Sequence, residues 1–233
     1  MQTSGIDPIT ADVLHAAVHD LKGPANRLRL LAQLLDREVG ALGEDARKLL
    51  GYVEDSAAAV GTVAEGLRWY ADICARPACR EAVDLNVALS SARANLRAEI
   101  ESAGAEISSS TLPVVQADAF LITWVIQELL TNAIRFCGAD SPWVHISAAK
   151  DAAGGWFVSV SDNGAGIQSG QEERIFRPFK KLSRGPGAGM GLTICRTIVE
   201  THEGRIWAEP RTTGAEFRFF VRGAVESQVT GTE

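Results

Sequence analysis

The 233-residue chain is 46% hydrophobic and 22% charged, enough apolar material for one large domain or two small ones with real cores. Its 23 Lys and Arg against 29 Asp and Glu give a net charge of -6, which argues against a uniformly basic binder of nucleic acid or of a membrane surface. No apolar run reaches the roughly 18–20 residues that cross a bilayer, the first residues lack a signal peptide's basic and apolar stretches, and Cys74, Cys79, Cys137 and Cys195 show no paired CxxC spacing. The expectation is a soluble, cytoplasmic, reduced protein with neither disulfides nor zinc, and with no sensor, anchor or regulatory tail in view.

Over residues 9–76 the apolar residues keep a heptad rhythm. Leu14, Val18, Leu21, Ala25, Leu28, Ala32, Leu35, Val39 and Leu42 step by fours and threes, and after Gly43-Glu44-Asp45 the rhythm resumes at Leu50, Val53, Ala57, Val60, Ala64, Leu67, Ala71 and Cys74. Two such seams joined by a short loop predict an antiparallel helical hairpin, the first seam roughly 40 Å long. A lone hairpin leaves one apolar stripe open, and two hairpins closing into a four-helix bundle is the simplest remedy. On the heptads alone an ordinary coiled-coil spacer is the reading to prefer.

Beyond a linker at Arg76-Pro77-Ala78-Cys79 the texture turns mixed. A helix is predicted over 85–102, short strands over 106–109 and 114–116, and an apolar helix over 119–136. Alternating strands follow over 143–148 and 156–161, with a turn at Ala153-Gly154-Gly155. A glycine-rich run, 185–191, leads into a helix over 192–201, and strands over 205–209 and 215–221 flank a turn at 211–214. Strands in runs with helices between them predict an α+β sandwich, one sheet with helices on one face. The polar tail from Ala224 is expected to fray.

Four groups of residues carry chemistry. His19 stands one step outside the first seam, followed by Asp20 and, five residues on, by Pro24. A proline inside a helix removes one backbone hydrogen bond and displaces the carbonyl four residues back, here that of Asp20. With Asp20 accepting the Nδ1 proton, Nε2 becomes the nucleophile; alone, the pair reads as a surface histidine beside a tolerated kink. Glu128 and Asn132 are four apart on one helical face, where two hard oxygen ligands suit Mg²⁺ or simply form a polar stripe. Asp162-Asn163-Gly164-Ala165-Gly166 follows a strand, so its carboxylate can accept an exocyclic amine while the backbone nears a flat ring; it is also a common turn. Gly187-Ala188-Gly189-Met190-Gly191 opens a helix, an arrangement that presents N–H groups to phosphates, although it is neither a Walker loop nor a dinucleotide fingerprint.

Taken in order, these pieces resemble the two-component sensor histidine kinases. His19-Asp20-Leu21-Lys22-Gly23-Pro24 is similar to that family's H-box, QELLTNAIRF (127–136) to its N-box, 162–166 to its G1 box, Phe176-Arg177-Pro178-Phe179 to its F-box and 187–191 to its G2 box. The resemblance spans nearly all of residues 10–222. It implies a dimerising and histidine-phosphotransfer hairpin over 9–76, forming a four-helix bundle in the homodimer, and a Bergerat-type ATP-binding sandwich over 80–223.

By the same resemblance His19 is the phosphoacceptor and Asp20 its general base. Asn132 coordinates Mg²⁺, with Glu128 beside it, and Arg135 keeps a positive charge for phosphate where many relatives have Lys. Asp162 holds the adenine amino group, Gly164 and Gly166 admit the nucleotide, and Gly187, Gly189 and Gly191 cradle the phosphates of ATP. Residues 168–186 form the ATP lid, docked by Phe176 and Phe179. The γ-phosphoryl passes to His19 and then to an aspartate of a response-regulator receiver domain. Asn26, Arg27, Arg29, Leu30 and Gln33 are candidates to dock that regulator, or form a solvated helix face. Gly23 stands where many relatives carry Thr or Asn that orients water, which implies weak phosphatase activity toward the regulator.

The signal is expected from a separate sensor protein or from a sensor domain missing from this chain, without direct membrane insertion and without nucleic acid. The alternative from another class is a GHKL-type ATP-binding switch, or a pseudokinase acting as a dimeric scaffold.

Overall fold

A computed structural model describes residues 8–38, 44–75, 79–138, 140–152, 154–180, 189–211 and 213–224. The chain divides into two compact units, Met1–Arg76 with Arg177–Ile194, and Pro77–Phe176 with Cys195–Glu233.

In the first unit α1 (Pro8–Glu38) and α2 (Glu44–Ala75) pack against each other as a hairpin. Among the side chains described, the buried seam is made of Val18, Ala25 and Ala32 on α1 and Ala57, Ala64 and Ala71 on α2, each seven residues from the next. Seven residues are close to two turns, so each set returns to one face. Of the residues expected to alternate with them, Leu21, Leu28, Leu35, Val53 and Val60 are turned outward, 41–52% exposed, while Leu50, Leu67 and Cys74 are half-buried. Small alanines let the two helices approach closely, and that approach leaves the larger neighbours outside the pair. The helix α1 runs through Gly23 and Pro24, both exposed. The side chains of Leu14, Val39 and Leu42 lie outside the described residues.

The second unit is α+β. Its elements are β1 (Glu81–Asp84), α3 (Leu85–Asn95), α4 (Arg97–Ala103), β2 (Glu106–Ser109), β3 (Val114–Ala117), α5 (Ala119–Arg135), β4 (Trp143–Lys150) and β5 (Gly155–Asp162), followed by the greater part of α6 (Gly191–Thr201), which is divided from the first unit after Ile194, and by β6 (Arg205–Pro210) and β7 (Ala215–Arg222). The five-stranded sheet has the order β2-β4-β5-β7-β6, antiparallel except for the β2–β4 pair. β1 and β3 form a separate antiparallel ribbon, joined to the end of β7 by a bridge between Val115 and Gly223.

Alternation in the strands builds the core. β4 buries Val144 and Ile146, β5 buries Val158, Val160 and Asp162, and β7 buries Ala215, Phe217, Phe219 and Val221. Against this face lies α5, whose Asp118 cap accepts hydrogen bonds from the N–H groups of Phe120 and Leu121. The helix buries Leu121, Ile122, Val125, Ile126, Leu129 and Leu130, and α3 packs on it. Burying a leucine or isoleucine is worth about 1.5–3 kcal/mol each, which makes α5 the main apolar anchor of the unit.

Two expectations need correction. The single helix over 85–102 is two helices: α3 stops at Asn95, Leu96 turns with φ -99° and is buried, and α4 restarts with no buried residue of its own. Apolar periodicity carries to Leu96 and says nothing about an exposed turn beyond it. The strand β1 was not expected, because its four residues, Glu-Ala-Val-Asp, bury only Val83 and offer no alternation to read.

Candidate active site

The end of α5 and the loop after β5 form one knot within the second unit. The Oδ1 of Asp162 accepts hydrogen bonds from the N–H groups of Gly164 (2.8 Å) and Ala215 (3.0 Å). Its Oδ2 has no hydrogen-bond donor among the described residues, so it stays available to a ligand amine. Burial raises the Asp162 carboxyl above its ordinary range, opposed by the two backbone N–H groups and the charge of Arg211.

Beside it the backbone packs tightly. A Cβ on Gly164 would lie 2.8 Å from the carbonyl oxygen of Phe136, and one on Gly166 (φ 74°) would lie 2.9 Å from that of Gly214. The N–H of Ala165 donates to the Phe136 carbonyl at 3.0 Å. Only a residue without a Cβ fits these places, so the loop backbone packs directly against the chain after α5 and the turn before β7.

The structure adds residues that sequence reading passed over. Gly214 (φ 70°) would place a Cβ 1.7 Å from the Asp162 carbonyl oxygen, so the turn before β7 is part of the site rather than a plain connection. Asn163 ties the loop to the chain after α5: its Oδ1 accepts from the Trp143 N–H (2.8 Å) and its Nδ2 donates to the Ser141 carbonyl (3.0 Å). The one signal for Gly214 was a glycine next to a strand, which turns and sites share.

One turn up α5, Asn132 is buried, and its Nδ2 lies 3.5 Å from Glu128 Oε1. The Oδ1 of Asn132 has no donor among the described residues. Burial pushes the Glu128 carboxyl up, while the charge of Arg135 and the Asn132 bond pull it down. A desolvated carboxylate beside an uncommitted amide oxygen is a hard-oxygen donor pair that fits Mg²⁺. Among the described residues no group of three or more His, Cys, Asp or Glu could hold a metal, so such an ion would need further oxygens from phosphate or water. Cys195, fully buried on α6, has its thiol pushed well up by burial and by the charge of Glu128, and it stays an inert core residue.

Phe176 ends a 3-10 turn (Arg174–Phe176) and is fully buried, edge-on to Phe217 and under the Arg196 guanidinium at 4.3 Å from its centroid. It is a packing residue. Phe179 is exposed with φ 60°, and its N–H donates to the Gly189 carbonyl at 3.0 Å. Gly189 is itself left-handed (φ 70°), and a Cβ there would lie 3.0 Å from the Lys180 carbonyl oxygen. Gly191 opens α6. Gly187 and residues 181–186 of the expected lid lie outside the described residues.

In the hairpin His19 is exposed on α1, off the buried seam; the side chain of Asp20 lies outside the described residues. One turn on, Lys22 forms an ion pair with Glu65 across to α2. Glu65 also holds Arg68 (3.3 Å), and the Lys22 bond keeps its carboxyl below the ordinary range. Between the helices beside this pair runs a groove floored by Ala25, Ala57, Ala58 and Gly61 and rimmed by Asn26 and Arg29. Arg27, Leu30 and Gln33 are exposed on the same helix.

Residues 117–224 match the family model described as histidine kinase-, DNA gyrase B- and HSP90-like ATPase. The chain is 36% identical over 214 residues to the phytochrome-like protein Cph1 of Synechocystis, an alignment covering 89% of this chain and 28% of Cph1. It is 30% identical over 207 residues to the sensor protein CutS of Streptomyces coelicolor, covering 85% of this chain and 49% of CutS. The chain thus spans between about a quarter and a half of the length of these curated relatives. Among solved structures its fold is similar to full-length ShkA in complex with AMPPNP (TM-score 0.65, 24% identity, 90% of this chain and 45% of that one). It is also similar to histidine kinase ThkA in complex with the response regulator TrrA (TM-score 0.63, 22% identity, 92% and 61%). Among the described residues no helix is long and apolar enough to cross a membrane.

Proposed function

The chain belongs to the two-component sensor histidine kinases, and from that premise we propose that it binds ATP, phosphorylates itself on His19 and passes the phosphoryl group to an aspartate of a response regulator. The observation that carries the reading is the pairing, in one chain, of an exposed histidine on a helical hairpin with an ATPase module whose Asp162 keeps one carboxylate oxygen uncommitted.

In this reading Asp162 Oδ2 accepts the adenine amino group, and Gly164, Gly166 and Gly214 give the ring its backbone wall. Asn132 and Glu128 hold Mg²⁺, which when bound neutralises charge on the phosphates. Arg135 adds positive charge, and Gly187, Gly189 and Gly191 present backbone N–H groups to phosphate oxygens. The Nε2 lone pair of His19 forms the new P–N bond as the bond from the γ-phosphorus to the bridging oxygen breaks and ADP leaves. Asp20 takes up charge at Nδ1–H. Positioning and charge neutralisation supply most of the catalysis. The AMPPNP held by ShkA supports ATP as the substrate, and the TrrA bound by ThkA supports a regulator as the acceptor.

The outward stripe of Leu21, Leu28, Leu35, Val53 and Val60 is the surface on which a second hairpin closes the four-helix bundle. The groove of Ala25, Ala57, Ala58 and Gly61 between Lys22, Asn26, Arg29 and Glu65, together with exposed Leu30, offers the regulator a seat that begins at Lys22, one helical turn from His19. Gly23, with open space around a built Cβ, offers no side chain to orient water, and dephosphorylation of the regulator is expected to be slow.

Incubation of the chain with Mg²⁺ and γ-labelled ATP tests the reading. An acid-labile, base-stable label that His19→Ala abolishes supports it. Nucleotide binding without any label would replace it with the ATP-binding switch.

A further inference from the structure

Glu203 has a backbone that its residue type disfavours. It follows α6 with φ 59°, its N–H bonds to the Glu200 carbonyl (2.9 Å), and the next N–H, of Gly204, bonds to the Val199 carbonyl (2.9 Å). These are the two bonds of a Schellman cap, whose left-handed position is most often glycine because a side chain is strained there. A glycine is available one residue later, yet the left-handed position is held by glutamate.

The side chain shows what the glutamate does. Its Oε1 accepts from Arg80 Nη1 at 2.8 Å and its Oε2 from Arg222 Nη2 at 2.6 Å. The second Arg80 nitrogen, Nη2, donates to the Thr201 carbonyl at 2.7 Å, one of the carbonyls that the last turn of α6 leaves without a helical partner. The Arg80 carbonyl in turn accepts from Gln116 Nε2 at 3.1 Å.

Arg80 stands one residue before β1, where the chain arriving from the hairpin enters the sheet-bearing unit. His202, between Thr201 and Glu203, is buried; its Nε2 accepts the Asp118 N–H at the start of α5 (2.8 Å), and its Nδ1 bonds the Ile198 carbonyl (2.7 Å). The joint therefore ties the entry point of the linker to the end of α6 and, through His202, to the start of the helix that carries Glu128 and Asn132. Ion pairs this exposed add little to stability, so fold stability does not explain a strained glutamate here. A persistent backbone outlier of this kind points to function.

We propose that Arg80 is a positioning residue for phosphoryl transfer: by gripping Glu203 and Thr201 it fixes the point and direction at which the linker enters the nucleotide-binding unit, and so governs how productively bound nucleotide meets His19. The inference rests on the kinase reading above. Releasing Arg80 frees the chain before Glu81 from the last turn of α6, and the loss of a fixed direction there costs orientation at the reacting atoms, while Asp162 and Asn132 keep their own partners.

Single-turnover labelling of His19 at saturating Mg-ATP, binding of a fluorescent ATP analogue and thermal unfolding are to be compared in the full chain for Arg80→Ala, Arg80→Lys and Glu203→Gly. Arg80→Ala is expected to slow labelling roughly tenfold or more, with analogue affinity unchanged. Arg80→Lys restores part of the rate, since an ammonium keeps the Glu203 pair but lacks the fork that also reaches Thr201.

Glu203→Gly separates positioning from structure: relief of the left-handed strain raises the melting temperature while labelling still slows. Labelling of Arg80→Ala and Glu203→Gly at the unsubstituted rate would overturn the joint and leave the kinase reading standing. Analogue affinity falling in step with rate would also overturn it, by making Arg80 part of nucleotide binding. Absence of label in the unsubstituted chain overturns the kinase reading and this inference with it.

Discussion

In the hairpin the buried residues described are Val18, Ile73 and a run of alanines, while Leu21, Leu28 and Leu35 face outward. In the sheet-bearing unit the relation is reversed: α5 buries Leu121, Leu129 and Leu130 completely, and most of its outward positions are polar or half-buried. The sheet unit buries the leucines of α5 within itself and leaves Phe120, at the start of the helix, as its one large exposed apolar side chain. The hairpin turns the leucines of α1 toward a surface it does not possess. A core that is complete by itself suits a site held within fractions of an ångström, and an incomplete one suits association.

Substitutions in the two regions should therefore act on different observables. Leu129→Ala is expected to destabilise the sheet unit by about 2–5 kcal/mol, read as a lower urea midpoint, through the cavity it leaves. Leu28→Asp should leave the helical content of the chain unchanged and halve its mass in sedimentation equilibrium. A Leu28→Asp chain that remains dimeric would remove the contrast.

Glycine gives the next contrast. Gly214→Ala forces a left-handed alanine whose Cβ meets the Asp162 carbonyl, and a loss of about 2–5 kcal/mol is expected, with nucleotide binding impaired. Gly23→Ala has open space beyond its chain neighbours, but in a helical backbone its Cβ meets the ring of Pro24, which offsets the gain in helix propensity, so chemical denaturation should show a change within about 0.5 kcal/mol.

Between these in size is Asp162→Asn. The amide oxygen can still accept from Gly164 and Ala215, while an NH₂ replaces the oxygen that would accept the adenine amine. Calorimetry should find nucleotide affinity reduced about tenfold to a hundredfold, with the melting temperature little changed.

The smallest effect concerns pH. Burial lowers the His202 pKa below its usual 6.5, with the nearby Arg80 charge acting the same way and the Ile198 bond and Asp118 opposing. The unfolded chain then binds more protons than the folded one below pH 6.5, so the stability this histidine contributes is present above that value and is lost as pH falls. The melting temperature of the sheet unit should drop between pH 7.5 and 5.5, and His202→Gln should flatten that dependence.

Much of this was legible in the residues. Apolar periodicity located α5, where the pattern is long and one-sided, and strand alternation located β4, β5 and β7, with boundaries within about two residues. Heptads located both helices of the hairpin but did not divide their seam into an inner alanine set and an outer leucine set, because both share the same spacing. Asp162, Gly164 and Gly166 announced themselves as a compact motif. Gly214, Ala215 and Asn163 did not, since their contribution arises from β7 pairing beside β5 and from side chain to backbone bonds that no local pattern encodes. The Arg80–Glu203 joint links residues 123 apart in sequence and was invisible for the same reason.

The central claim is that the self-contained unit phosphorylates the incomplete one at His19. The most direct test is to incubate the full chain with Mg-ATP, digest it at neutral to mildly alkaline pH and map the modification by mass spectrometry. The account predicts phosphohistidine at His19 and at no other residue. Phosphate on a different side chain, or an unmodified chain that nonetheless holds nucleotide, would contradict it.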